Sequence, residues 1–110
     1  MNFKDAAEKN EQWIIEQRRF FHQCPELSEQ EKNTTLEIGK RLEEMGLEPH
    51  YYEGFTGLTA DIRGGKAGAG TKTVALRADI DALPVEERTG LAFCSKNQGV
   101  MHACGHDCHI

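Results

Sequence analysis

Between Met101 and Ile110 the chain reads Met101-His102-Ala103-Cys104-Gly105-His106-Asp107-Cys108-His109-Ile110, so three histidines, two cysteines and an aspartate crowd into one short stretch. Thiolate and neutral imidazole are ligands for zinc and similar first-row divalent ions. In an extended backbone His102, Cys104, His106 and Cys108 would share one face. In a helical turn the neighbours would instead be His102/His106, Cys104/Cys108 and His106/His109. Gly105 argues against a regular helix through the middle and lets the backbone approach an ion closely. Asp107 is a candidate carboxylate for orienting an imidazole, because ligating histidines usually donate their second N–H to such a group. A closed structural zinc site normally joins two separated ligand pairs, and a single cluster supplies only half of one. An adventitious His/Cys tract and a small non-catalytic metal-binding module using His102 to His109 are the alternatives to a catalytic centre.

A second pair of candidates lies at Asp79 and Asp81. They follow the apolar run Thr73-Val74-Ala75-Leu76, which reads as a strand buried on both faces. Open α/β sheets gather functional groups beyond the carboxyl ends of such strands. The competing reading is that these aspartates only cap a turn.

The elements that must position these residues start with an amphipathic helix from Asn2 to about Phe21, with Asn2 and Asp5 as its N-terminal signal. Pro25 interrupts it. A second helix is expected from about Glu29 to Met45, opened by a capping box from Ser28 to Glu31, striped by Thr34, Ile38, Leu42 and Met45, and stopped by Gly46. Three short strands should follow, at Glu48 to Tyr52, Leu58 to Arg63 and Thr73 to Ala78. The glycine-rich stretch Gly64 to Gly70 has no Gly-Lys-Ser/Thr ending, so it reads as a hairpin connection and not as a phosphate cradle. Leu83-Pro84-Val85 is excluded from a central strand, and Glu86 to Gly90 reads as an exposed loop. No internal repeat or linker marks a second domain.

The 110 residues carry 38% hydrophobic and 28% charged side chains, which points to a globular chain, and the net charge of −5 leaves no basic footprint for nucleic acid. No apolar run reaches the ~18–20 residues of a membrane span, and the opening residues lack a signal-peptide core. A cytoplasmic protein with reduced thiols is expected, with Cys24 and Cys94 as structural bystanders.

Four segments then occur in register. They are Phe21-His22-Gln23-Cys24-Pro25-Glu26-Leu27-Ser28, Leu76 through Val85, Glu87 with Thr89-Gly90, and Met101 through His109. Together they resemble the N-terminal part of the M20 metallopeptidase family, in its branch of N-acyl amino acid amidohydrolases, hippurate hydrolases and auxin-conjugate hydrolases. The resemblance implies an α/β, zinc-peptidase-like catalytic domain, here two helices and then a sheet of three or more strands. Residues 1–110 would form an incomplete part of that domain, without the lid or dimerisation domain of the family.

The implied activity is metal-dependent hydrolysis of the amide bond of N-acyl amino acids. It would use two divalent ions, manganese or zinc, with cobalt or nickel also open; the thiolate favours zinc. By position, Cys104 and His106 match metal ligands, and Asp79 matches a supporting aspartate whose usual histidine neighbour is replaced by Arg77. His102, His109, Asp107 and Asp81 are expected as supporting groups. The family's general base belongs to a later Glu-Glu motif that has no match here, and Glu86 and Glu87 precede the ligands and do not replace it. The 110 residues alone are therefore expected to be inactive, and the complete protein is a possible homodimer acting on a small molecule. Cys108 stands where relatives have a small uncharged residue, and is a candidate oxidation-sensitive thiol.

Overall fold

A computed structural model describes residues 2–110. Helix α1 spans Phe3–Gln23, and the Asn2 side chain accepts from the amide of Lys4 while donating to Asp5. Its apolar positions lead inward only at the C-terminal end, where Phe21 is buried and packs edge-on against Phe20 at 5.3 Å. Trp13 and Ile14 remain about half exposed.

Helix α2 spans Lys32–Glu44, shorter at its start than the expected Glu29. The capping box is not formed. Glu29 takes a positive φ of 65°, which ends any helical path from Ser28, and Glu31 makes no side-chain cap bond. The Glu26 carboxylate caps the helix from outside, accepting from the amide and hydroxyl of Thr34 at 2.5 and 2.7 Å and from Asn33. A charged acceptor at a helix start satisfies orphan amides and meets the positive end of the dipole. Of the expected apolar stripe, Thr34 is buried, Ile38 and Leu42 are half-buried and Met45 is exposed. Arg41 ties the two helices together, its guanidinium over the rings of Phe20 and Phe21 and its Nε donating to Gln17.

Strands β1 (Pro49–Tyr51) and β2 (Leu58–Ala60) pair antiparallel, with His50 opposite Thr59. Polar contacts seat their connection on α2. The Thr56 hydroxyl donates to the buried Glu31, and the Gly57 amide donates to the Thr35 hydroxyl at 2.7 Å.

The sheet has two strands among the described residues, where three or more were expected. The α/β class holds, but Thr73 to Ala78 has no strand partner, and Val74 and Leu76 are 86% and 99% exposed. An apolar strand of this type needs neighbours on both edges and faces, and residues 2–110 supply none. Gly64 to Gly70 is accordingly an exposed run of turns and not a hairpin connection.

The rest of the chain is laced together around Ala82 and Leu83. Ala82, buried like Phe21 and Pro25, donates its amide to the carbonyl of Glu26 at 2.8 Å, and Leu83 exchanges two backbone bonds with Met101. No helix among the described residues is long and apolar enough to cross a membrane.

Because Glu26 is the side chain that caps α2 among the described residues, Glu26→Ala should lower unfolding free energy by ~1–2 kcal/mol in a urea titration. Glu26→Gln, which keeps one acceptor oxygen, should cost less. An unchanged midpoint in both variants would show that the helix start is held by something else.

Candidate metal centre

The last ten residues form a loop that ends in a single 3-10 turn, His106–Cys108, entered through Gly105 at a φ of 97°. Glycine suits this left-handed position. The turn is closed by the amides of Cys108 and His109 donating to Gly105 and His106, each at 2.9 Å. The antiparallel bridge between Leu83 and Met101 lays the loop beside the Asp79 to Asp81 segment.

That juxtaposition brings Asp79, His106 and His109 together, with one ligand atom from each within 4.8 Å of the others. The rings of His106 and His109 stand 5.5 Å apart. His106 Nδ1 donates to both the backbone carbonyl and the carboxylate of Asp81, at 3.0 and 2.8 Å. This fixes the ring orientation and leaves Nε2 as the nitrogen turned to no hydrogen-bond partner among the described residues, the one through which an imidazole so held would ligate an ion. Asp79 also accepts from Arg77 at 2.7 Å.

The donor set of two imidazoles and a carboxylate fits zinc or a comparable divalent ion. Unpartnered buried atoms lie in the same loop: both ring nitrogens of His102 and Oδ1 of Asp107. Burial holds the His102 imidazole below its usual pKa, against the opposing charge of Asp107. Cys104 and Cys108 are exposed, and Cys104 lies outside the group formed by Asp79, His106 and His109. Asp107 does not face that group through a hydrogen bond. It is buried and turned toward α1.

There it meets residues to which the sequence reading gave no role at the site. His22 Nδ1 lies 2.9 Å from Asp107 Oδ2, and His22 Nε2 lies 2.8 Å from Glu87 Oε1. Arg18 Nε stands 2.8 Å from the same Asp107 oxygen as an ion pair, without the alignment of a hydrogen bond. Phe93 covers this network, edge-on to His22 at 5.7 Å and beneath the guanidinium of Arg18. Glu87 was expected in an exposed loop, yet its side chain is 4% exposed. Burial acts to raise its carboxyl, but bonds from the Thr89 hydroxyl, the Ser95 amide and His22 together hold it below its ordinary value. The available signal was His22 beside Phe20 and Phe21 at the only apolar end of α1. Asp107 was marked as a candidate and Glu87 as part of a motif, but nothing local paired either of them with His22, 85 and 65 residues away.

The family model described as peptidase family M20/M25/M40 matches residues 75–110. Thermostable carboxypeptidase 1 of Saccharolobus solfataricus is 51% identical over 97% of this chain and 27% of its own length. The N-acetyl-L-cysteine deacetylase of Bacillus subtilis is 52% identical over 90% of this chain and 23% of its own. Among solved structures, the YXEP protein of Bacillus subtilis, described as a dinuclear metal binding peptidase from M20 family, superposes with a TM-score of 0.82 at 46% identity, over 91% of this chain and 28% of that one. The chain thus spans about a quarter of the length of the relatives it matches.

A carboxyl with a depressed folded-state pKa stabilises the fold above its unfolded value and loses that contribution as pH falls through the folded one. For Glu87 the loss should begin near pH 4.5 and continue below it. In urea titrations, Glu87→Gln should therefore be weaker than wild type at pH 7, with the gap narrowing toward pH 3. A gap independent of pH would show that the Glu87 charge is not what its partners hold.

Proposed function

The chain belongs to the M20 peptidase family, and from that premise we propose that residues 1–110 supply one side of a two-metal centre that hydrolyses the amide bond of N-acyl amino acids. The observation that carries this reading is the convergence of Asp79, His106 and His109, with His106 Nδ1 committed to Asp81 and Nε2 left open. The relatives' names support the reaction class. A deacetylase acting on N-acetyl-L-cysteine and a carboxypeptidase both cleave an amide whose nitrogen belongs to an amino acid.

In this proposal His106, His109 and Asp79 hold one divalent ion, and Cys104, two residues before His106 and exposed, is the ligand offered to its neighbour. Asp81 keeps the His106 ring in the ligating orientation. Zinc and manganese are the candidate ions, and a dinuclear centre is what the YXEP protein is described as having. A pair of such ions, when bound, polarises the acyl carbonyl and lowers the pKa of water.

Taking a proton from the attacking water and passing it to the leaving amine requires a general base that these residues do not provide. Glu87 is committed to His22, Thr89 and Ser95 inside the fold, and Glu86 accepts from the amide of Gly99. The base is thus assigned to chain beyond the matched quarter, and residues 1–110 alone should be inactive. The complete protein is proposed as a cytoplasmic enzyme acting on small molecules, with a homodimer as its proposed assembly.

A chimera tests the assignment. Residues 1–110 replace the matching segment of the Bacillus subtilis N-acetyl-L-cysteine deacetylase, and acetate release from N-acetyl amino acids is measured with added manganese or zinc. The chimera should turn over, His106→Ala should abolish turnover, and Asp81→Ala should reduce it by about 10–100-fold. Undiminished acetate release by His106→Ala would overturn the reading. Residues 1–110 by themselves should release no acetate under the same conditions.

A further inference from the structure

We propose that His22 is a positioning residue for the metal loop, gripping Asp107 from α1 so that the 3-10 turn presents His106 and His109 in ligating position. The proposal rests on the metal-centre reading of that loop. Its starting point is how little else holds the turn. Three residues of 3-10 helix, closed by a few backbone bonds, have poor hydrogen-bond geometry and no independent stability. Cys104, Cys108 and His109 are exposed. Asp107 is the buried side chain of the turn, at 2% exposure, so it is the anchor.

Among the described residues, the side-chain partners of Asp107 are Arg18 and His22, one helical turn apart on α1. They are not equivalent. The Arg18 side chain is 37% exposed and its Nε is not aligned for a hydrogen bond, whereas His22 is 3% exposed and meets Asp107 at 2.9 Å. The far side of the imidazole is also tied. Nε2 bonds to Glu87, which is itself held by Thr89 and Ser95, and Phe93 packs against the ring. With both nitrogens engaged, the ring has one orientation, and Asp107 inherits it. His106 adjoins Asp107 in the chain, so a shift of the anchor moves a ligand directly.

Two isosteres separate this role from a general contribution to folding. The amide nitrogen of asparagine falls where His22 has Nδ1, and that of glutamine falls where it has Nε2. His22→Asn should therefore keep the bond to Asp107 and lose the one to Glu87, while His22→Gln should do the reverse. Three quantities are read on the 110-residue chain: hydrogen–deuterium exchange across residues 104–110, cobalt(II) affinity from its absorption spectrum, and the thermal midpoint.

His22→Asn should leave exchange at the Cys108 and His109 amides and cobalt affinity close to wild type. His22→Gln should accelerate that exchange and weaken cobalt binding by about 10–100-fold, at a similar thermal midpoint. The proposal is overturned if the two variants match each other in exchange and affinity, both merely following the midpoint. If wild type binds no cobalt, the metal reading fails instead, and the exchange comparison between the variants still decides whether His22 positions the loop.

Discussion

A carboxylate with no side-chain exposure must be compensated inside the protein, and Asp107 meets that demand by drawing α1 against the C-terminal loop. An isolated buried charge is prohibitively costly, and it is tolerated only where ion pairs and hydrogen bonds replace water. Arg18 and His22 converge on one oxygen of Asp107. Helical periodicity makes that convergence possible, since positions four apart share a face. The loop can therefore dock on α1 in one register only, because sliding by a residue would leave the carboxylate unpaired. Such pairing contributes specificity of arrangement more than net stability.

The apolar contribution to the same arrangement is small. Phe21, Pro25 and Ala82 are buried, but so are His22, Glu31, Thr34, Thr35, His102 and Asp107, and among the described residues these polar side chains outnumber the apolar ones. They fall into two groups. Glu31 and Thr35 join the start of α2 to the β1–β2 connection while Thr34 bonds to Glu26, and His102 and Asp107 lie in the candidate metal loop with His22 bonded to it from α1. A core of this kind depends on directional bonds, each worth ~0.5–1.5 kcal/mol net, while an orphaned partner costs more. The exposed Val74 and Leu76 belong to the same picture, since apolar surface that a larger domain would cover contributes nothing to residues 2–110.

What could be read from the sequence followed the range of the interaction. Both helices were legible because their apolar periodicity, the Asn2 cap and the Gly46 stop are local marks. The start of α2 was misplaced because its cap, Glu26, acts across a turn bent by the positive φ of Glu29. Density and spacing marked the His102 to His109 stretch, and position after an apolar run marked Asp79 and Asp81. The third strand was legible as a pattern but not as a structure, because pairing needs a neighbour that a pattern does not contain. The pairing of His22 with Glu87 stayed hidden for a related reason. A histidine in a helix and a glutamate in a loop acquire meaning only when the fold sets them 2.8 Å apart.

The candidate metal centre depends on both kinds of interaction in series. Its ligand atoms come from two segments, Asp79 on one and His106 with His109 on the other, and their separation is set first by the backbone bridge between Leu83 and Met101. Two backbone bonds at 2.9 and 3.0 Å fix the register of those segments, but a bridge of one residue pair leaves rotation about its axis. The side chains remove that freedom from opposite sides. Asp81 holds His106 toward the aspartate segment, and His22 holds the adjoining Asp107 toward α1. Consecutive residues pulled in opposite directions define the orientation of the short turn between them, which a three-residue 3-10 helix would not maintain alone. The orientation of the candidate site therefore depends on two carboxylate–imidazole pairs, one beside the candidate ligands and the other in the protein interior.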